Sequence, residues 1–120
     1  MPLVKIELIR GHSSEYKKDF LGAVRGAIES ALGVPGKSLN LRLYEIDKEN
    51  IDVTDEKSEK FCIIEISMFP RRSREMKGNV IKAISGQLSE KLGVPKSDMT
   101  ILIIDPPLEN WGVGGVQREG

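Results

Sequence analysis

The feature that most constrains the fold of this chain is an internal repeat of its sequence. A shift of 60 residues aligns positions 2–53 with positions 62–113 without a gap, and Leu32-Gly33-Val34-Pro35 recurs as Leu92-Gly93-Val94-Pro95. Two copies are too few for a solenoid, which usually needs about three units to bury its faces. The 120 residues also suit one hydrophobic core better than two. The repeat therefore predicts one domain, 1–120, whose halves (2–53 and 62–113) are joined by a connector at 54–61.

Each half shows the pattern of a strand, a helix and a second strand. Ser13 and Ser73 are suited to cap the helices, and Gly33 and Gly93 are suited to end them. The predicted strands are Leu3–Ile9, Leu39–Ile46, Cys62–Phe69 and Met99–Ile104. A helix of about 18 residues between two strands indicates a right-handed β-α-β unit with parallel strands. The predicted fold class is α/β (α+β), with tandem β-α-β units forming a four-stranded sheet that has two helices on one face.

The remaining segments are polar or rich in glycine. Residues 47–60 are mostly polar and are predicted to form a surface connection between the halves. The tail, 106–120, contains Trp111-Gly112-Val113-Gly114-Gly115, which favours turns or a short hairpin. Because the helices cover only one face of the sheet, the other face is left for Trp111 and a partner subunit. We therefore expect an oligomer.

The composition excludes several classes of function. Lys plus Arg equals Asp plus Glu at 18 each, so no overall basic field favours nucleic acid or an acidic membrane surface. Cys62 and His12 are the only residues of their types, which argues against a disulfide framework and a Cys/His metal site. We expect no metal and no cofactor. No apolar stretch reaches the roughly 20 residues of a membrane span, and the start does not resemble a signal peptide, so the expected location is the cytoplasm.

The start of the chain offers a reactive group. If Met1 is removed, Pro2 becomes a free secondary amine at the beginning of a strand, whereas an internal proline has no basic nitrogen. An apolar pocket would lower the pKa of this amine and make it a base, while an adjacent carboxylate would keep it protonated. The alternative is that Pro2 only begins an edge strand, where its missing N–H does no harm.

Three arginines cluster where the third strand meets the second helix. Arg71, Arg72 and Arg74 place positive charge at a helix N-terminus, where it opposes the helix dipole. A bound carboxylate would offset this repulsion, since guanidinium groups and free backbone N–H groups both bind anions. The alternative is a solvated basic turn with weak surface ion pairs. The first half has His12 in place of Arg72.

Three further side chains are candidate substrate contacts. Asn40 and Arg42 lie two residues apart on the second strand and therefore share one face of the sheet. Arg42 can reach a substrate there or simply meet solvent. Trp111 can form an apolar wall that keeps an active amine dry, or it can be an ordinary interface aromatic.

Taken in order, these pieces resemble the tautomerase superfamily, and most closely the fused members of its 4-oxalocrotonate tautomerase group. The resemblance covers almost the whole chain. It rests on Met1-Pro2 before a strand, Ser13 with Glu15 and Arg72-Ser73 with Glu75 at the helix starts, the Gly-Val-Pro turns, and Glu109-Asn110-Trp111-Gly112-Val113-Gly114-Gly115.

The resemblance implies an isomerase that loses Met1, uses Pro2 as its catalytic amine and assembles as a homotrimer. Its substrates would be small carboxylates with an adjacent enol, ketone or unsaturated bond, such as 2-hydroxymuconate. Arg72 would bind the carboxylate, assisted by Arg71 or Arg74, and Trp111 would be the wall aromatic. The short members have an arginine on the second strand, where this chain has Asn40 and Thr100.

Two alternatives stay open. A protonated Pro2 would instead assist hydration, dehalogenation or decarboxylation of related acids, if an acid such as Glu7, Glu45 or Asp105 approached it. A β-α-β duplication can also serve as a non-catalytic module that binds a small ligand. Because the halves differ at His12, we predict one working site per chain.

Overall fold

The computed structural model describes residues 2–119 and confirms the predicted order of elements. The main strands and helices are β1 (Leu3–Ile9), α1 (Ser14–Leu32), β2 (Asn40–Ile46), β3 (Cys62–Ser67), α2 (Arg74–Leu92) and β4 (Met99–Ile104). A short hairpin of β5 (Gly112–Val113) and β6 (Val116–Gln117) occupies the tail. β3 is two residues shorter than predicted, because the chain leaves the sheet toward the turn that precedes α2.

The four long strands form one mixed sheet in the order β2-β1-β3-β4. β1 is parallel to β2 and β3 is parallel to β4, while the two central strands run antiparallel. In the central pair Leu3 lies opposite Ser67, and Leu8 lies opposite Cys62. The start of β1 therefore lies beside the end of β3, and the start of β3 lies beside the end of β1. This arrangement confirms the predicted fold class.

Both helices pack on the same face of the sheet and enclose the core. The residues that are at most 1% exposed there include members of the central strands and of both helices: Val4, Ile6, Leu8, Cys62, Ile64, Ile66, Phe20, Val24, Ile28, Val80, Ile84 and Leu88. Their alternation along the strands and their spacing of three or four along the helices are the periods that predicted these elements.

The predicted caps define both helices. Ser13 accepts a hydrogen bond from the Tyr16 amide at 3.0 Å, and Ser73 accepts one from the Met76 amide at 3.1 Å. At the other ends Gly33 has a φ of 67°, in the left-handed region that favours glycine.

The face of the sheet opposite the helices is open and partly apolar. Tyr44 is 50% exposed, Leu102 49% and Ile104 37%. The register places these side chains on the same face as Lys5, whose ammonium lies 5.5 Å from the centre of the Tyr44 ring. This is the face for which the sequence predicts a partner subunit.

The connection between the halves is anchored to a buried acid that the sequence did not reveal. Asp98 is 1% exposed, and its carboxylate accepts hydrogen bonds from the amide of Ser58, at 3.0 Å, and from the Ser58 hydroxyl. Lys60 also donates to the carbonyl oxygen of Leu92 at 2.9 Å. The polar connection is therefore held against the second half.

Within residues 2–119, no helix has both the length and the apolar character needed to cross a membrane.

Candidate active site

Pro2 lies in an apolar position at the start of β1. Continuing the strand register by one residue places it between Leu39 and Met68, which are 2% and 1% exposed, and Pro2 itself is buried. Its carbonyl oxygen accepts a hydrogen bond from the Asn40 amide at 3.3 Å. The predicted removal of Met1 concerns a residue outside the described range. The fold thus places the Pro2 nitrogen at one end of the sheet, beside two apolar neighbours.

The segment 68–73, here called the arginine turn because it contains Arg71 and Arg72, follows β3 at this same end of the sheet. Arg71 has a φ of 84°, and within residues 2–119 no other residue except glycine has a positive φ. The equivalent position in the first half is Gly11, with a φ of 139°. A residue with a side chain held in this region stores strain, and such strain is concentrated at functional sites. Neither Arg71, which is exposed, nor the partly buried Arg72 forms an ion pair with any described residue.

Trp111 is fixed over the residue that leads into this turn. Its ring meets the Phe69 ring edge-on, with centroids 4.9 Å apart and an angle of 80° between the planes. Its indole N–H donates to the carbonyl oxygen of Pro106 at 3.3 Å. The sequence identified Trp111 but missed Phe69, although an aromatic residue at the end of a predicted strand, just before three arginines, is a signal that could have found it.

The other predicted contacts lie at different distances from Pro2. Asn40 is exposed and pairs with Leu3, so it is next to the start of β1. Arg42 pairs with Lys5 on the open face, two residues further along the sheet. Arg74 begins α2 and lines a groove of about 490 Å³ on the exposed side of that helix. The structure therefore gathers Pro2, Asn40, the arginine turn and Trp111 at one end of the sheet, whereas Arg42 and Arg74 lie toward its margins.

Three acids could in principle keep Pro2 protonated: Glu7, Glu45 and Asp105. The first two lie far from Pro2, and the third is paired with a lysine. Glu7 lies five residues along β1, or about 16 Å away along the strand. Glu45 is at the far end, because its strand partner is Leu8. Asp105 is nearer, but it is bound by Lys77 at 2.6 Å, and this hydrogen bond lowers the pKa of the Asp105 carboxyl.

The opposite end of the sheet is built from the equivalent elements but has different chemistry. Cys62 takes the place of Pro2 and is fully buried, and burial raises the pKa of its thiol to about 12. His12 takes the place of Arg72, with its ring stacked on Tyr16 at 4.2 Å and its Nε2 3.0 Å from the carbonyl oxygen of Glu59. A cavity of about 340 Å³ opens beside His12 and Tyr16. A buried neutral thiol and a stacked imidazole provide neither the amine nor the guanidinium of the Pro2 end.

The chain is similar in sequence and in fold to known proteins. Residues 42–114 match the family model described as "Tautomerase enzyme". A 2-hydroxymuconate tautomerase from Comamonas testosteroni is 40% identical over 55 residues, which is 46% of this chain and 87% of the relative. That match is about the length of one half, as expected of a duplication.

Solved structures match over nearly the whole chain. A wild-type fused 4-OT, W0, described as a symmetric trimer, is 26% identical with a TM-score of 0.85, covering 96% of each chain. The FG41 malonate semialdehyde decarboxylase inhibited by 3-bromopropiolate is 27% identical with a TM-score of 0.82, covering 93% of this chain and 88% of the other. Because the family model spans more than half of the sequence and the structural likeness covers both halves, this chain belongs to the tautomerase enzyme family.

Proposed function

We propose that this protein is an enol–keto tautomerase of small 2-hydroxydienoate or enol carboxylates such as 2-hydroxymuconate. The observation that carries the proposal is the position of Pro2, buried at the start of β1 and at the same end of the sheet as the Arg72 turn and Trp111. An amine, a carboxylate-binding guanidinium and an aromatic wall are together what proton transfer within such a substrate requires.

Pro2 acts as the base after Met1 is removed. Its apolar neighbours, Leu39 and Met68, disfavour the charged ammonium, and the nearest of the three acids, Asp105, is already engaged by Lys77. The neutral nitrogen takes the proton of the enol hydroxyl, and the electron pair of that O–H bond forms the carbonyl. The electron pair of the enol C=C bond shifts along the conjugated chain and takes a proton from the protonated amine at a carbon atom. The amine is regenerated and the substrate and product are isomers.

Arg72 binds the substrate carboxylate, and its neighbours complete the pocket. Arg72 has its donors free of ion pairs with the described residues, and the start of α2 adds backbone N–H groups to the anion site. In this proposal Arg71 and Asn40 contact the bound substrate, and Trp111 excludes water from it. Arg42 and Arg74 belong to the outer margin of the pocket, where we assign them secondary roles in attracting the anion.

The active form is a homotrimer in which partner chains cover the open face of the sheet. Tyr44, Leu102 and Ile104 supply apolar area on this face, which is unusual for a sheet facing water. The solved fused 4-OT W0 is a trimer, which supports this assembly. Size-exclusion chromatography with light scattering should give about three times the 13.3 kDa chain mass.

The test is the rate of ketonisation of 2-hydroxymuconate against pH, for the wild type and Pro2→Ala, after intact-mass measurement has shown whether Met1 is absent. We expect an ascending limb near neutral pH, because the base must be unprotonated, and a loss of at least about 100-fold in Pro2→Ala. Pro95→Ala is the matched control, since Pro95 is an exposed turn residue at the opposite end of the sheet, before the strand that begins beside Cys62. Equal rates in Pro2→Ala and the wild type, or a retained Met1, would refute the role of Pro2.

A second candidate is decarboxylation or hydration, or the related dehalogenation, of small acids by a protonated Pro2. The likeness to a malonate semialdehyde decarboxylase favours it. In that case turnover of malonate semialdehyde would decrease as pH rises through the pKa of the amine, whereas tautomerisation would increase. A protein that binds carboxylates but turns over none of these substrates would be the non-catalytic module.

A further inference from the structure

The tail carries an arginine that neither the repeat nor the proposed mechanism uses. Arg118 lies directly after the β5–β6 hairpin, and its amide donates to the carbonyl oxygen of Trp111 at 2.9 Å. The Gln117 side chain donates to the carbonyl oxygen of Glu109, also at 2.9 Å, which closes the hairpin onto the chain that precedes Trp111. Arg118 is thus held next to the aromatic wall of the Pro2 site.

The guanidinium of Arg118 lies over Phe69, one of the two rings that form this wall. Its central carbon is 5.6 Å from the centroid of the Phe69 ring, and Phe69 also contacts Trp111. Three residues after Phe69 the chain reaches Arg72. The aromatic pair therefore has Arg72 on the turn that follows it and Arg118 over one of its rings.

The donors of Arg118 are unoccupied within residues 2–119. The side chain is exposed and forms no ion pair with the described acids. A guanidinium placed over an aromatic ring keeps its N–H groups around its rim, in the planar fork that fits a carboxylate. The Phe69 ring and the backbone contact with Trp111 therefore position the guanidinium, and no described acid occupies it.

We infer that Arg118 is a second carboxylate-binding residue of this site and makes it select dicarboxylates over monocarboxylates. This inference rests on the proposed function, since it takes the Pro2 end of the sheet as the substrate site. Arg72 holds the carboxylate near the reacting enol, and Arg118 holds the one at the other end of the carbon chain. A monocarboxylate makes only the first of these contacts.

The test is a binding titration that does not depend on turnover. Trp111 is the only tryptophan, so its fluorescence reports ligand at the wall directly. Muconate and sorbate share a six-carbon diene skeleton and differ in having two carboxylates or one, and neither has an enol to react. The variants are Arg118→Gln, Arg118→Lys and the charge-matched control Lys82→Gln, which removes an exposed cation from α2.

We expect the wild type to bind muconate at least about 10-fold more tightly than sorbate. Arg118→Gln should weaken muconate about 10-fold and leave sorbate within about twofold, and Arg118→Lys should restore only part of the difference because lysine lacks the planar fork. Lys82→Gln should change neither ligand.

If the ratio of the muconate and sorbate affinities is the same in Arg118→Gln as in the wild type, the inference is overturned. If that ratio is unchanged because both ligands are weakened equally, Arg118 has a structural role in holding the wall. Failure of the proposed function gives a different pattern. In that case the wild type turns over no enol substrate, while the effect of Arg118→Gln on the binding ratio persists.

Discussion

Replacing Arg71 with glycine should make the protein more stable. At a φ of 84° a side chain destabilises the folded state by about 1–2 kcal/mol relative to glycine. Glycine also gives the unfolded chain more conformational freedom, which lowers the free energy of unfolding by about 0.4–1 kcal/mol. The difference leaves a net gain of about 0.5–1 kcal/mol. Removing one of three cations beside the start of α2 acts in the same direction. For a chain of this length the gain corresponds to an increase in Tm of about 2–5 °C.

The assay is urea and thermal unfolding of the wild type and Arg71→Gly at one protein concentration, because assembly makes stability depend on concentration. The matched control is Gly11→Ala at the equivalent turn. There a methyl group meets no atom within 4 Å, so the φ of 139° alone should cost about 1 kcal/mol. An Arg71→Gly protein that is equally stable or less stable would refute the strain argument.

The same variant separates stability from function. If Arg71 contacts the substrate, kcat/KM for 2-hydroxymuconate should decrease up to about 10-fold while Tm increases. That combination is expected where strain is maintained for a binding role. An increase in Tm with unchanged kcat/KM would place Arg71 outside the substrate contacts and leave Arg72 as the only anion-binding residue of the turn.

Three further changes test the structure. Tyr16→Phe should raise the free energy of unfolding in urea by about 1 kcal/mol, because it removes a buried hydroxyl without a partner among the described residues; a decrease would show that the hydroxyl is satisfied. Asp98→Ala should lower it by about 2–4 kcal/mol by leaving the donors of Ser58 unpaired, and an exposed change such as Ser97→Ala should not. Burial raises the pKa of Cys62 from 9.0 to about 12, so its contribution to stability is fully present below about pH 9 and is lost progressively as the pH rises toward about 12. Cys62→Ala should therefore flatten the alkaline decrease in unfolding free energy.

The sequence predicted the elements well because their signals are local and occur twice. Ser13 and Ser73 cap the two helices as expected, and a glycine ends each helix 60 residues apart from its counterpart. Alternation over Leu3–Ile9 identified the face of β1 that the helices cover. In each case the residues that determine the structure lie within one turn or one strand, so a short window contains the whole pattern.

The contacts that the sequence missed join distant parts of the chain. Ser58 binds Asp98 across 40 residues, and Arg118 lies over Phe69 across 49 residues. Nothing in a short window distinguishes a buried Asp98 from a surface acid, since only the fold brings the connector to it. The candidate site shows the same division, because the residue types of Pro2 and Trp111 were visible in the sequence, whereas their common position depends on the antiparallel pairing of the central strands.

That pairing also explains why a symmetric backbone should carry one working site. Because the two central strands run antiparallel, Pro2 lies beside the turn of the second half and Cys62 lies beside the turn of the first half. A tandem chain has one amino terminus, so whatever residue begins the second half is joined through a peptide bond and cannot offer a free amine. Because the residue at position 62 cannot act as a base, the residues around it need not bind a substrate. His12 accordingly stacks on Tyr16 and does not provide a guanidinium. We therefore expect the Cys62 end to contribute no turnover, so that the loss of at least about 100-fold in Pro2→Ala is not made up by a second site.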